Sequence, residues 1–232
     1  MVRKKINNLT FFYFNNLLDQ KGLTHFVSTR KGGLSKFPYD SLNLGLHVGD
    51  KEESVLKNRK LLSETLRIPL ENFVFAKQVH GAKVKVITSR SRELPIADAL
   101  ITNIPRICLC IFVADCAPIL FYDPVKKSVG ICHAGFKGTE KLIAIKTIEA
   151  LEKNFNSNSK DIIAGIGPSI GPCHYEKIDL WEANIQQLLK AGILEKNIEV
   201  SKICTFENSE VFFSERFQKG RTGRFLAGIM LS

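Results

Sequence analysis

No apolar run in this chain approaches the ~20 residues that a helix needs to cross a bilayer; the longest, residues 107–114, is far shorter. The basic start Met1-Val2-Arg3-Lys4-Lys5 is followed by Asn7, Asn8, Asn15 and Asn16 with no small-residue cleavage site, so it reads as a first strand and not as a leader. None of the six cysteines forms a Cys-x-x-Cys pair, which argues for reduced thiols over a disulfide framework. No basic run outlasts Arg3-Lys4-Lys5, and no aromatic-rich RNA-binding motif is present. The formal net charge of +10 is therefore read as a dispersed surface charge that attracts small anions, not nucleic acid. Linkers rich in Pro, Gly or Ser and repeats of fixed period are also lacking, so residues 1–232 are expected to form one domain. The expectation is a soluble, cytoplasmic protein, a monomer or weak homo-oligomer, with neither membrane nor nucleic-acid partners.

Two nucleotide-binding motifs are missing as well. The glycines of Gly165-Ile166-Gly167-Pro168-Ser169-Ile170-Gly171 follow a strand-like run but neither end in G-K-[ST] nor open a helix as G-x-G-x-x-G. The deaminase pattern H-x-E with P-C-x-x-C is absent, because Pro172-Cys173 continues as His174-Tyr175-Glu176. With five histidines and no His-x-His pair, the chain cannot supply the imidazole clusters of a blue multicopper oxidase.

What is present alternates between strand-like and helix-like patterns. Strand character recurs at 25–29, 83–87, 107–114, 119–122, 128–132, 161–166 and 225–231, several apolar on both faces and so expected to be buried. Cys108 and Cys110, two apart, should share one buried face. Asp50 with Glu53 predicts a helix start before a Val55, Leu56, Leu62, Leu66 stripe that Pro69 ends. Thr139 predicts another before Leu142, Ile145, Ile148 and Leu151, and Asp179 with Glu182 a third, stopped by Gly192. The sum is an α+β chain.

Three residues stand out chemically. His80 precedes Gly81 and a strand, Cys116 follows a buried strand and precedes Pro118, and His133 opens Ala134-Gly135-Phe136-Lys137-Gly138-Thr139. Two imidazoles and a thiolate make a three-ligand zinc set that leaves one position open, as catalytic sites do. Taken singly, each also fits a plainer role: a hydrogen-bonded structural histidine, an inert buried thiol, an ordinary strand-to-helix turn. Asp115 beside Cys116 suits a general base, a carboxylate that orients a ligand, or a turn former. The glycine turn with Lys137 and a helix start near Thr139 suits an anion.

Motifs recur in order along nearly the whole chain: Ser28-Thr29-Arg30-Lys31-Gly32-Gly33, Ser41-Leu42-Asn43-Leu44-Gly45-Leu46-His47-Val48-Gly49-Asp50, Gln78-Val79-His80-Gly81, Ala97-Asp98-Ala99, Ala114-Asp115-Cys116, His133-Ala134-Gly135, Gly167-Pro168-Ser169-Ile170-Gly171 and Thr222-Gly223-Arg224. In these the chain resembles the multicopper polyphenol oxidoreductase or laccase-domain family, also called purine nucleoside phosphorylase-like or peptidoglycan-editing-factor proteins. The resemblance implies a layered sandwich of mixed β-sheets flanked by helices, with Zn²⁺ on His80, Cys116 and His133. It implies a pocket lined by Arg30, Asn43, Gln78, Asp98 and Asp115; His47, in a matched motif, is placed to reach it.

The activity implied is phosphorolysis of adenosine, inosine, guanosine or methylthioadenosine, with adenosine deamination beside it. Arg30, Lys137 and the helix start at Thr139 would hold inorganic phosphate. Two departures are visible: Phe136-Lys137 replaces the family's Trp-Arg, and Cys173-His174-Tyr175-Glu176 runs almost directly into Asp179-Leu180-Trp181 where relatives carry an insertion. The alternatives are a Cu²⁺-dependent polyphenol oxidase, an amide hydrolase with Cys116 as nucleophile and His133 as base, and a binding module without turnover. His25 and His174 are expected to be structural and surface residues.

Overall fold

A computed structural model of the chain describes residues 1–90 and 94–232. In chain order the strands are β1 (Val2–Ile6), β2 (Leu9–Tyr13), β3 (Leu23–Ser28), β4 (Phe73–Val74), β5 (Val84–Val86), β6 (Ala99–Thr102), β7 (Cys108–Val113), β8 (Ala117–Asp123), β9 (Ser128–Ala134), β10 (Ile163–Ile166), β11 (Ile198–Val200) and β12 (Phe225–Leu231). The helices are α1 (Asn15–Leu18), α2 (Glu52–Leu66), α3 (Phe136–Glu140), α4 (Ile143–Phe155) and α5 (Leu180–Lys190). Two six-stranded mixed sheets result, ordered β1-β2-β3-β12-β7-β4 and β11-β10-β8-β9-β6-β5. No helix among the described residues is long and apolar enough to cross a membrane.

The strand pattern dictates the layering. Alternate residues of a strand point to opposite faces, and in β7 Leu109, Ile111 and Val113 meet Leu120, Tyr122, Val129 and Ile131 of the other sheet, forming the core between the sheets. The intervening Cys108, Cys110 and Phe112 face outward under Leu62 of α2. On the far side, Ile119, Phe121 and Cys132 pack under Ile143, Ile148 and Leu151 of α4 and Leu188 of α5. Both faces of β7, β8, β9 and β12 are therefore covered, which is why their sequences are apolar throughout. The α+β sandwich of mixed sheets flanked by helices is as expected, and the paired thiols of Cys108 and Cys110 lie 3.7 Å apart on one buried face.

Two helix starts differ from expectation. Asp50 does not cap α2: its Oδ2 accepts from Ser35 Oγ at 2.6 Å and Asn43 Nδ2 at 2.9 Å, so the carboxylate holds the 35–50 loop, and Lys51 occupies the cap. Leu56 is exposed, and Val55 and Leu62 carry the buried face. Thr139 lies inside the short α3, and Leu142 in a left-handed conformation breaks the chain before α4, whose buried face is Ile143, Ala144, Thr147, Ile148 and Leu151. The third start is as expected: Asp179 accepts from the N–H groups of Trp181 and Glu182. Gly192 at φ +94° ends that helix with a bond from Ile193 N to Leu188 O.

His25 carries a testable consequence of burial. Its Nε2 accepts the Phe14 N–H at 2.9 Å, which only a neutral imidazole can do. Desolvation is the main cause that pushes its pKa from 6.5 down to about 4. Between those values the unfolded chain takes up a proton that the native chain refuses, so stability falls as the pH drops through that window. The loss amounts to about 3 kcal/mol. Urea unfolding of the wild type and His25→Gln at pH 7 and pH 4 should show the wild type losing that much more on acidification; parallel losses would contradict the assignment.

Candidate active site

The chain switches sheets at one point that matters. It leaves β7 at Val113, turns through Ala114-Asp115-Cys116 and enters β8 of the other sheet at Ala117. Asp115 sits at φ +79°, a backbone region that few non-glycine residues adopt. Both carboxylate oxygens secure that turn: Oδ1 accepts from Thr205 Oγ1 at 2.6 Å and Oδ2 from the Arg216 N–H at 2.7 Å. Cys116 is thereby held at the seam between the sheets.

His133 comes to the same place from the end of β9, and His80 from the loop before β5. One ligand atom from each of His80, Cys116 and His133 lies within 4.8 Å of the other two. Behind them is Asp98, fully buried, at the junction to β6. Its Oδ1 accepts from His80 N at 2.9 Å and its Oδ2 from Gly81 N at 2.7 Å, with Val79 N at 3.2 Å from Oδ1. His80 at φ +56° makes the tight turn that aims these N–H groups at one anion. His133 Nδ1 lies 3.1 Å from Asp98 Oδ1, so Nε2 is the nitrogen that faces Cys116.

The electrostatics follow from this packing. Burial alone would raise the Cys116 pKa, but His133 and His80 outweigh it and bring the thiol down to about 6. Burial likewise opposes charge on His133, yet Cys116 and Asp98 hold it up to about 9. Asp98 stays below the usual carboxylate range because its bonds to His133 and the 79–81 backbone overcome desolvation.

The trio lines a cleft of about 930 Å³. Phe112, Gln78, His47, Phe136, Lys137, Ile170 and Tyr175 line it with the trio, as do Lys177, Glu215, Arg216, Lys219 and Arg224. Arg216 lies over the Tyr175 ring and Lys177 over the Phe136 ring, at 5.4 Å and 5.6 Å. Arg224 pairs with Glu215 at 2.8 Å. His47 packs edge-on against Phe112, and burial, with Arg224 and Arg59 nearby, pushes its pKa down.

Of the residues expected to act here, His80, Cys116, His133, Asp115, Gln78 and Lys137 line the cleft. Gln78 is engaged with the backbone, donating to Phe112 O at 2.8 Å and accepting from Phe112 N at 2.9 Å. Arg30, Asn43, Asp98 and Thr139 are not among the lining residues, Asp98 being fully buried behind the trio. Arg30 is buried against Phe213 and donates to Asp40 O and Ser209 O. Asn43 Oδ1 accepts from Arg224 N, and Thr139 Oγ1 accepts from Asn184 inside the α3–α5 contact. Arg216, Lys219, Lys177 and Tyr175 had no signal in the sequence beyond their charge or ring; they lie in irregular segments whose course only the fold supplies.

Gly135 makes close packing at the trio possible. A methyl group on it would fall 2.5 Å from Cys116 Sγ. Gly135→Ala is expected to displace the thiol and, if the trio is a metal site, to weaken zinc or cobalt binding there by at least about tenfold. Because Gly135 sits at φ −83°, no backbone strain should confuse the reading. Metal titration of the purified variant tests this, and unchanged affinity would contradict it.

The family model of the multi-copper polyphenol oxidoreductase laccases matches residues 24–177 and 176–232. The break between the two matched stretches falls where the 173–179 segment passes directly into α5. The purine nucleoside phosphorylase YlmD of Bacillus subtilis is 35% identical, the match covering 87% of this chain and 86% of that protein. The purine nucleoside phosphorylase YfiH of Escherichia coli is 34% identical over 91% of this chain and 95% of its own. Among solved structures, YlmD of Geobacillus stearothermophilus superposes with a TM-score of 0.92 at 34% identity, over 98% of this chain and 97% of that one. On this sequence and structural likeness, the chain belongs to the multi-copper polyphenol oxidoreductase laccase family, together with the proteins named purine nucleoside phosphorylases.

Proposed function

We propose that the chain is a zinc-dependent purine nucleoside phosphorylase acting on adenosine, inosine, guanosine or methylthioadenosine, with adenosine deamination as a side activity. The observation that carries this reading is a three-ligand set that lines a cleft together with aromatic and cationic side chains. His80, Cys116 and His133 would hold the metal, and the Asp98 bond to His133 Nδ1 is the outer-shell contact that metal-bound imidazoles use. The donor set of two imidazoles and a thiolate fits Zn²⁺. Zinc, when bound, supplies Lewis-acid polarisation in the cleft.

The chain's own groups account for binding. Phe112, Phe136 and Tyr175 offer faces to a purine, and Lys137, Arg216, Lys219 and Arg224 offer charge to inorganic phosphate. The phosphate role expected of Arg30 and Thr139 passes to these cations. In phosphorolysis an oxygen of phosphate bonds to the ribose C1′ as the C–N bond breaks and its electron pair leaves with the base. The six cysteines, none in a disulfide, suit a cytoplasmic setting.

The copper reading has less support. Among the described residues, the groups able to offer three metal ligands each contain a cysteine and no more than two imidazoles. A second reading does have an observation in its favour: Cys116, His133 and Asp98 also stand in the order of a cysteine nucleophile, its base and the carboxylate that orients the base.

The test uses purified protein loaded with Zn²⁺, each of the four nucleosides, and buffer with or without phosphate. Base plus ribose 1-phosphate, or methylthioribose 1-phosphate from methylthioadenosine, should form only with phosphate present. Slow conversion of adenosine to inosine is expected alongside. Absence of product from every nucleoside at full metal loading ends the proposal.

A further inference from the structure

A second group of metal-binding side chains lies beside the cleft and plays no part in the reaction proposed above. Cys173 and His174 occupy the single turn Pro172–His174, and Cys204 and Glu207 lie three residues apart in the segment paired to it through the Ser169 and Cys204 bridge. Glu207 Oε1 is 3.5 Å from both Cys173 Sγ and His174 Nε2, and ligand atoms of the three residues fall within 4.8 Å of one another. The buried Cys204 thiol lies against Cys173 and accepts the Gly171 N–H at 3.2 Å. The His174 ring is stacked on Phe206 with centroids 4.0 Å apart, which fixes its orientation.

We infer that Cys173, His174 and Glu207 form a second Zn²⁺ site. One sulfur, one nitrogen and one oxygen are donors that zinc takes, and water completes the tetrahedron. Gly171 leaves the room: a methyl group there would stand 3.3 Å from Cys173 Sγ and 3.0 Å from the Trp181 ring. The metal would tie the 171–178 segment to the 203–219 segment. Tyr175 and Lys177 come to the cleft from the first, and Glu215, Arg216 and Lys219 from the second. The site thus braces two segments that have no ladder of their own to hold them.

The experiment separates the two sites by removing the first. Cys116→Ala protein is titrated with Co²⁺ and followed by absorption. One equivalent should bind with a thiolate-to-cobalt charge-transfer band and the strong visible bands of tetrahedral cobalt. Adding Cys173→Ser or, separately, Glu207→Gln should weaken that binding by at least about tenfold. Both are partly or fully exposed positions, and melting in the absence of metal checks that the variants fold alike. Zn²⁺ should raise the melting midpoint of Cys116→Ala and leave the double variants unmoved. No charge-transfer band in Cys116→Ala, or a band that both additional substitutions leave unchanged, would overturn the inference. Neither readout involves turnover, so failure here and failure of the phosphorylase reading are distinguishable.

Discussion

Asp98→Asn should, on the function proposed, cost the trio most of its metal affinity, a fall of about 10–100-fold, together with nucleoside turnover. The reason lies in how many groups one buried carboxylate serves. Its two oxygens accept from the N–H groups of Val79, His80 and Gly81 and meet His133 Nδ1. Asparagine has one acceptor oxygen, and its NH₂ would point at donors. Either the 79–81 turn opens and His80 swings away, or His133 loses its orientation. Asp98→Ala is worse, leaving the donors unpaired in a buried site, and should lower stability by about 3 kcal/mol or more. Metal content by elemental analysis, urea unfolding and turnover measured together test this. Asp98→Asn protein with full zinc affinity and normal turnover would show that the carboxylate is dispensable.

The trio stood out because each member sits where a one-dimensional pattern breaks and the sequence itself marks the turn: His80 before Gly81 in the loop ahead of β5, Cys116 after Asp115 and before Pro118, and His133 before Gly135 at the end of β9. The buried strands were legible for a related reason, since double-sided cover leaves an uninterrupted apolar run. Short β4, β6 and β11 were not, being too brief to show a period. Nor was β2, although Asn7 at φ +52° forms the turn that returns β1 antiparallel to it.

Arg30 and Asn43 are absent from the cleft lining and Asp115 is part of it, yet each of the three, standing in a matched motif, makes a bond to the backbone of the 204–224 region. Arg30 donates to Ser209 O, Asn43 accepts from Arg224 N, and Asp115 accepts from Arg216 N. That region contains no helix and, before β12, no strand, so side-chain anchors substitute for a ladder. The motif residues hold the loop, and the loop carries Glu215, Arg216, Lys219 and Arg224 to the cleft. A sequence shows the anchors as polar residues at a site; only the fold tells which of them touch the ligand and which hold those that do.

The same trio supports a metal centre and a cysteine nucleophile, and Cys116 decides between them, because a thiolate cannot donate its electron pair to both zinc and a carbonyl carbon. In the metal reading, zinc-loaded protein should resist iodoacetamide at Cys116, and stripping with a chelator should speed that alkylation by about 100-fold or more while abolishing turnover, as expected when a bound ligand must first dissociate. Restoring Zn²⁺ to unalkylated protein should restore turnover. Cys116→Ala should lose the trio's metal and its phosphorolysis together. In the nucleophile reading the chelator leaves turnover intact and alkylation abolishes it at any metal content. Peptide mapping keeps Cys116 apart from the exposed Cys173, whose own protection by zinc belongs to the second site. His133→Ala sharpens the contrast. Removing a ligand lowers the zinc content and leaves a thiol that alkylates faster than in zinc-loaded protein, whereas removing a base leaves the metal content unchanged and slows the thiol. Zinc content and alkylation rate measured on this one variant therefore tell the two readings apart.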